Sequence, residues 1–503
     1  MSVLERAGVR VSAAAVLTAT ALTGGLALDT AASAPTARAF AATDDPRPNI
    51  VLITTDDQTL AELAWMPRTR NLLGDKGVEL TNSLSPHPFC CPARAEILTG
   101  QYAQNNGVRT NQGPMGGFDK LDSTRTIATW LDDAGYQTAF VGKFLNGYTE
   151  SDGLQPGWDI FNPTVRNVYR YYDYTMFNNG SPVQYTDVHN ADLVGDKTAE
   201  YITQFAEEGP PFFIWASQVA PHGACDPTRE NACWQRPVPA ERHARLFKTA
   251  EPPSVLDASF NEEDMSDKPG AIRNLPLKDP AKIGSIFRNR IRSLQAVDQA
   301  VARTVTALRT AGVLENTLIV FTSDNGYLLG EHRIEGKDVP YEQAVRVPLL
   351  VRGPGAPAGV RRTQTVSTID LAPSFLDATG ASANLAVDGR SFLPLLGQED
   401  DAADENVLLQ SGPRNKQQLP HGWNYRGVRT DRYTYVRYPS AGFVELYDRV
   451  LDPAQMQSVA HDPRYAEVEA ELARRTEVLG SCTGESCHQT FDPLPEPTDP
   501  PAE

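Results

Sequence analysis

An α/β fold with a mostly parallel sheet flanked by helices, followed by a smaller antiparallel α+β domain, is the architecture this sequence predicts. Three observations predict it. Short apolar, β-branched runs alternate with helical spacings across residues 47–400, polar clusters fall directly after several of those runs, and a hairpin pattern replaces the alternation from about Leu408. Strands alternating with helices imply parallel strands covered on both faces. In such sheets chemistry gathers at the carboxyl ends of the strands.

Asn49 to Thr55 reads as a buried strand that ends at Asp56-Asp57. Thr126 to Ala134 has helical spacing and stops at Gly135, a C-terminal cap signal. Thr138 to Gly142 reads as a strand running into Lys143. Asp192 to Phe205 suggests a helix, and Phe212 to Val219 the strand after it. A longer helix is expected from Pro280 to about Thr310, ending near Gly312. Thr317 to Thr322 is the next strand, closed by Ser323-Asp324-Asn325-Gly326, and Val347 to Val351 is another. In the smaller domain, residues 401–490, Tyr425 to Tyr438 reads as a hairpin turning near Thr430-Asp431. Val444 to Tyr447 adds a strand and Pro463 to Leu479 an amphipathic helix. The Pro-rich, acidic segment 491–503 is expected to be disordered.

At 503 residues the chain has room for a large domain and a smaller one. Charged residues at 22% and hydrophobic ones at 41% are those of an ordinary soluble globular protein. A formal net charge of -17 argues against binding nucleic acid or an anionic membrane surface. Residues 1–39 read as an export signal: Arg6 and Arg10 precede the apolar run Val11 to Leu28, and Ala37-Arg38-Ala39 offers a cleavage site. A membrane anchor is the alternative, but Thr residues and Gly24-Gly25 interrupt the run, so a secreted protein without a membrane span is expected. Six cysteines fit an oxidising compartment. Cys225 with Cys233, and Cys482 with Cys487, are close enough in sequence for local disulfides, which Cα separation decides.

Cys90 to Gly100 reads Cys-Cys-Pro-Ala-Arg-Ala-Glu-Ile-Leu-Thr-Gly. A buried cysteine pair before a helix start would account for part of it. The whole stretch fits Cys-x-Pro-x-Arg-x-x-x-Leu-Thr-Gly and so resembles the signature of the sulfatase family. The resemblance implies that a formylglycine-generating enzyme oxidises Cys90 to formylglycine, an aldehyde whose hydrate attacks sulfate esters. Pro92 and Arg94 complete the recognition core, and Cys91 is left as a buried free thiol.

Asp56-Asp57 and Asp324-Asn325 each end a predicted strand, and oxygen ligands suit hard cations such as Ca²⁺ or Mg²⁺. Turn chemistry explains either pair alone equally well. The resemblance favours the metal: it implies Ca²⁺ held by Asp56, Asp57, Asp324, Asn325 and an oxygen of formylglycine at Cys90, in an orienting, Lewis-acid role. Because a sulfate ester is an anion, the site must also gather positive charge against the field of the whole chain. Arg94 lies one helical turn beyond Cys90, Lys143 and His222 each follow a strand, and Lys337 comes shortly after Asp324-Asn325. Each matches a position where sulfatases place sulfate-binding or proton-transferring residues. His332 is expected to line the pocket.

Many sulfatases carry a histidine where this chain has Leu145, with Asn146 next to it as a polar substitute. In this the chain is similar to N-acetylglucosamine-6-sulfatases and heparan endosulfatases. It also shares with them Cys90-Cys91, Gly135 to Thr138, Thr322 to Tyr327, Val347 to Gly355, and Glu445 to Asp448 with Asp452-Pro453. The resemblance covers roughly residues 47–487 and implies an alkaline-phosphatase-like fold. It also implies removal of sulfate from a sulfated sugar of the N-acetylglucosamine-6-sulfate type or from an aryl sulfate. The rivals are a phosphomonoester or phosphonate hydrolase on the same fold and, with Cys90 unconverted, a glycan- or anion-binding module. Asn167 to Asn179, with Tyr169, Tyr171, Tyr172, Tyr174 and Phe177, suits sugar rings or plain loop packing, and packing is favoured.

Overall fold

In the computed structural model the described residues are 45–225, 235–398, 405–413, 419 and 421–498. The segment expected to be an export signal, residues 1–39, and Cys233 lie outside them. The described strands of the first portion are β1 (Asn49–Thr55), β2 (Val78–Leu84), β3 (Gln137–Gly142), β4 (Ile160–Arg166), β5 (Tyr174–Asn178), β6 (Ser181–Tyr185), β7 (Phe212–Ser217) and β8 (Thr317–Ser323). They are followed by β9 (Leu328–Leu329), β10 (Glu335–Gly336), β11 (Leu349–Arg352) and β12 (Val360–Ser367). One sheet takes ten of them in the order β12-β2-β11-β8-β1-β7-β3-β4-β5-β6.

Its centre, β8-β1-β7-β3-β4, is parallel throughout. Strand β1 is buried along its whole length, and its alternation divides the core. Val51 and Ile53 pack with Val194 and Phe205 of helix Asn190–Glu208 and with Leu294, Val301 and Leu308 of helix Pro280–Thr310. Ile50 and Leu52 face Trp130 of helix Ile127–Asp133 and Phe375 of helix Leu371–Thr379. A period of two, apolar on both sides, is what a sheet covered on both faces requires. The helix Pro280–Thr310 starts where Asp279 accepts from the Ala281 amide at 2.9 Å and Pro280 takes a first-turn position whose N–H would go unused.

One strand departs from expectation. The Val347 to Val351 run forms β11, two residues later, and it pairs antiparallel with both β8 and β2. Between β8 and β11 the chain carries only the β9–β10 hairpin and the short helix Glu342–Val345. Nothing there is long enough for the crossover a parallel return needs. Strands β2, β4, β6 and β12 were not anticipated, and β5 emerges from the aromatic stretch.

The second sheet is antiparallel, with β13 (Val407–Ser411), β14 (Tyr425–Arg429), β15 (Tyr433–Tyr438) and β16 (Phe443–Asp448) in sequence order. Leu408, Val428 and Leu446 pack under Leu472 and Leu479 of helix Ala466–Gly480. Leu409, Tyr425 and Val436 meet Leu84 and Val345 of the larger portion. Arg429 grips Glu342 with two prongs, at 2.8 and 3.0 Å. Cys482 and Cys487 are bonded, while Cys90 and Cys91 are free and buried. Residues 491–498 of the tail run against helix Ala466–Gly480, the turn before it and the β14–β15 turn: Arg475 Nη2 donates to the Asp492 carbonyl, Arg432 pairs with Glu496 at 2.8 Å, and the Thr498 amide reaches the Arg464 carbonyl at 3.0 Å.

Candidate active site

Four adjacent strands, β8, β1, β7 and β3, end at one place, and the polar residues that follow them meet there. Asp56-Asp57 extend β1, Lys143 extends β3, and Asp324-Asn325 extend β8, with His222 five residues beyond β7. The ends are laced together: the Asp324 amide donates to the Thr55 carbonyl at 3.1 Å, the Asp57 amide to Asp324 Oδ1 at 3.1 Å, and the Gln58 amide to Ser323 Oγ at 3.0 Å. Asp57 adopts φ +69°, a left-handed conformation that aspartate tolerates and that strains most residues. Gly142 has φ +112°, and a Cβ there would stand 1.8 Å from the Ser217 carbonyl oxygen. Only glycine lets β3 approach β7 this closely just before Lys143.

Cys90 is the first residue of helix Cys90–Thr99, whose residues are all buried. Phe89 precedes it in extended conformation, Pro92 sits in the first turn where no amide is missed, and Gly100 closes the helix at φ +64°. The positive end of the helix dipole therefore faces the strand ends. Cys90 Sγ lies 3.4 Å from Asp56 Oδ1 and 2.6 Å from Lys337 Nζ. Burial, followed by the Asp56 charge, pushes this thiol up to about 12, so an unmodified Cys90 is protonated and a poor nucleophile. Its sulfur marks the place from which the oxygens of an oxidised side chain would meet the same neighbours.

Lys143 pairs with Asp56 Oδ2, and Lys337 with Asp57 Oδ1. Burial works against ionising Asp56, yet Lys143, His222, Lys337 and Arg94 hold its carboxyl well below the usual range. Burial likewise disfavours charge on Lys337, but the Asp57 carboxylate, with Asp56 behind it, holds its ammonium well above its ordinary value. Arg94 donates through Nη1 to the Lys143 carbonyl at 2.8 Å and to Ser217 Oγ at 2.6 Å. His222 Nδ1 is 2.7 Å from the Gly223 carbonyl, so this nitrogen carries the hydrogen and Nε2 faces Asp57 Oδ2 at 3.7 Å.

Asp56, Asp57, Cys90 and His222 each turn one ligand-type atom into a space where these atoms lie within 4.8 Å of one another. Asp324 stands beside that space, its oxygens bonded to Arg94 and to the Asp57 and Asn325 amides. Asn325 donates to Asp57 Oδ1 at 2.7 Å, while its own buried Oδ1 has no hydrogen-bond partner. An unpaired buried amide oxygen among three carboxylates fits a hard divalent cation.

The sulfur opens into a cavity of about 1100 Å³ that Asp57, Lys143, His222 and Lys337 also line. Its walls differ: Asn111, Asn146 and Asn424 are polar, whereas Ile272, Leu275, Ile334 and Val339 are apolar. The expectation for His332 fails. It is buried at a hairpin tip with φ +48°, bonded to Glu262 at 2.6 Å and packed at a tilt against Tyr341 with ring centroids 4.2 Å apart, because the β9–β10 turn carries it away from Lys337. The aromatic stretch divides: Tyr171 and Tyr174 are core, whereas Tyr169 lines the cavity. Arg290 was missed. Buried in the long helix, it donates to the Asp57 carbonyl and to Glu62 Oε2 at 2.8 Å, and so supports the strand-end turn from behind.

A buried cysteine position ringed by cationic side chains at parallel strand ends suits an α/β enzyme that hydrolyses anionic esters. Comparison with known proteins is more specific. Residues 48–381 match the family model described as Sulfatase, and residues 330–481 the one described as N-sulphoglucosamine sulphohydrolase, C-terminal. The chain belongs to the sulfatase family, a class of sulfuric ester hydrolases. It is 36% identical over 388 residues to an extracellular sulfatase SULF-1 homolog of Drosophila melanogaster, covering 74% of this chain but 33% of that protein. To N-acetylglucosamine-6-sulfatase of Homo sapiens it is 31% identical over 502 residues, covering 89% and 87%. It shares its fold, at TM-score 0.71 and 23% identity over 86% of this chain and 97% of the other, with a protein solved in complex with its substrate D-glucosamine-2-N,6-O-disulfate.

Proposed function

We propose that this chain removes sulfate from a sulfated sugar of the N-acetylglucosamine-6-sulfate type, with residue 90 acting as formylglycine. The observation that carries this reading is the position of Cys90. It sits at the buried head of a helix, between the Asp56 carboxylate and the Lys337 ammonium, at the floor of the cavity. Once oxidised by a formylglycine-generating enzyme, residue 90 supplies a hydrated aldehyde as nucleophile. Ca²⁺ held by Asp56, Asp57, Asp324 and Asn325 would supply Lewis-acid polarisation of the sulfate oxygens.

The remaining work falls to side chains. Lys143, buried, and Lys337, partly buried, neutralise the sulfate oxygens with their charges, and preorganised charge of this kind is usually the largest catalytic contribution. Arg94 braces the helix that presents residue 90. His222, its Nδ1 committed to Gly223, takes up a proton from the cavity at Nε2 and gives it to the sugar oxygen, which would otherwise depart as an alkoxide. The cavity is large enough for a sugar with a neighbour attached. Export through residues 1–39, and a division into a catalytic portion at 47–400 and a smaller portion at 401–490, complete the proposal.

The test is a panel of sulfate and phosphate monoesters, sugar and aryl, offered to purified secreted protein, with intact-mass measurement of the Cys90 peptide. Turnover of the sugar sulfate together with a peptide lighter than the thiol form is expected. Preference for the phosphate esters, or an intact thiol in fully active protein, would overturn it.

A further inference from the structure

The loops after β3 and β7, which carry Lys143 and His222, meet through one side chain that neither loop contains. The Tyr169 ring stacks on the His222 imidazole, with centroids 4.3 Å apart and planes 25° from parallel. The Lys143 ammonium lies 4.7 Å from the centroid of the same ring. Asn146, three residues beyond Lys143, donates from Nδ2 to the Tyr169 hydroxyl at 2.7 Å. The Cys225 amide, three residues beyond His222, donates to the Tyr169 carbonyl at 3.2 Å. Tyr171 adds a bond from its hydroxyl to the His222 carbonyl at 2.7 Å.

The segment is itself pinned. Asn167 and Asp173 both adopt left-handed φ of 56°, and Asn167 Nδ2 donates to the Asp173 carbonyl at 2.9 Å. A tyrosine face is electron-rich, so it attracts an ammonium and stacks well with an imidazole ring. We infer that Tyr169 is a positioning residue for sulfate-ester cleavage, fixing the direction of His222 Nε2 and the placement of the Lys143 ammonium together. The inference rests on reading His222 as the proton carrier and Lys143 as a sulfate-binding cation.

A sugar oxygen leaves as a strongly basic alkoxide, whereas 4-nitrophenolate leaves with little need of a proton. Loosening the imidazole therefore slows the sugar ester more than the aryl ester. The experiment measures kcat and KM of wild type, Tyr169→Phe and Tyr169→Leu on N-acetylglucosamine-6-sulfate and 4-nitrophenyl sulfate. Conversion at residue 90 and thermal unfolding are checked first to be equal. Tyr169→Leu is expected to lower kcat on the sugar ester by about 100-fold and on the aryl ester by about 10-fold or less, the scale of a small misplacement of reacting groups. Tyr169→Phe, which keeps the ring, should stay within roughly threefold of wild type on both, as loss of one hydrogen bond allows. If Tyr169→Leu does not fold, Tyr169→Met fills similar space without a ring and is compared in the same way. Equal losses on the two esters, or wild-type kcat in the ringless variant, overturn the positioning role. Wild-type protein inactive on both esters would instead overturn the proposed function and this inference with it.

Discussion

Arg94 presents Nε and Nη2 to a single oxygen of Asp324, each at 2.9 Å, across 230 residues of chain. With Nη1 on Ser217 and the Lys143 carbonyl, one guanidinium joins the Cys90 helix to three strand ends. Both partners are almost wholly excluded from solvent, so truncation strands a buried carboxylate. Arg94→Ala should cost about 3–5 kcal/mol of stability, read from the urea midpoint at unchanged m. A midpoint within error of wild type would show that the pair holds nothing.

Cys90→Ser should abolish sulfatase turnover and leave the unfolding temperature unchanged. A serine cannot be taken to the aldehyde by the same route, and its hydroxyl occupies the same small buried space. Wild-type turnover in this variant would remove formylglycine from the account.

Lys143→Ala and Lys337→Ala each delete a cation lining the cavity. Either should lower kcat/KM by about 10²–10³-fold, the usual effect of losing one preorganised charge-stabilising group. Steady-state kinetics on a sugar sulfate decides it, and a loss under threefold would place that lysine outside the reaction.

Removing divalent cations with a chelator should abolish activity and lower the unfolding temperature, and Ca²⁺ should restore both. A cation that binds only the folded chain stabilises it by about 2.7 kcal/mol at 100 times its Kd. Asn325→Ala should demand more Ca²⁺ for the same recovery. Full activity after exhaustive chelation would refute the metal.

Glu342 titrates in a way that ties the two sheets to pH. Burial would raise its pKa, but Arg429 and then Arg449 outweigh burial and bring it down to about 2 from an ordinary 4.5. A depressed folded-state value means that its contribution is complete above pH 4.5 and drains away as pH falls toward 2. The stability gap between wild type and Glu342→Gln should therefore narrow over that window. A gap that stays constant from pH 5 to pH 3 would contradict this.

The central strands were legible because strands buried on both faces read as continuous apolar runs, and β1, β3 and β8 each stop at a polar cluster. The long helix announced itself through Asp279-Pro280 and its period. Strands β2 (Val-Glu-Leu-Thr-Asn-Ser-Leu) and β12 (Val-Arg-Arg-Thr-Gln-Thr-Val-Ser) lie toward the sheet edge, where one side meets solvent, and they lack that signal. Cys90, Asp56, Asp57, Lys143, His222 and Lys337 could be picked out by residue type beside a strand end or motif. Arg290 could not, since Arg288 and Arg292 flank it on the same helix and only its 1% exposure sets it apart. Tyr169 was one of five aromatics in a run without period. His332 misled because nearness in sequence to Lys337 says nothing about which way a hairpin tip points.

Pairing Thr54 with Thr322, as the β1–β8 register does, has a consequence for synthesis on the ribosome. Half of the charged ring leaves the exit tunnel early, and its counterpart follows some 270 residues later, tens of seconds at ordinary elongation speeds. Until then the helix beginning at residue 90 has no finished wall to hide behind. On the proposed reading, that interval, before the interior closes over the sulfur, is when a formylglycine-generating enzyme would reach it.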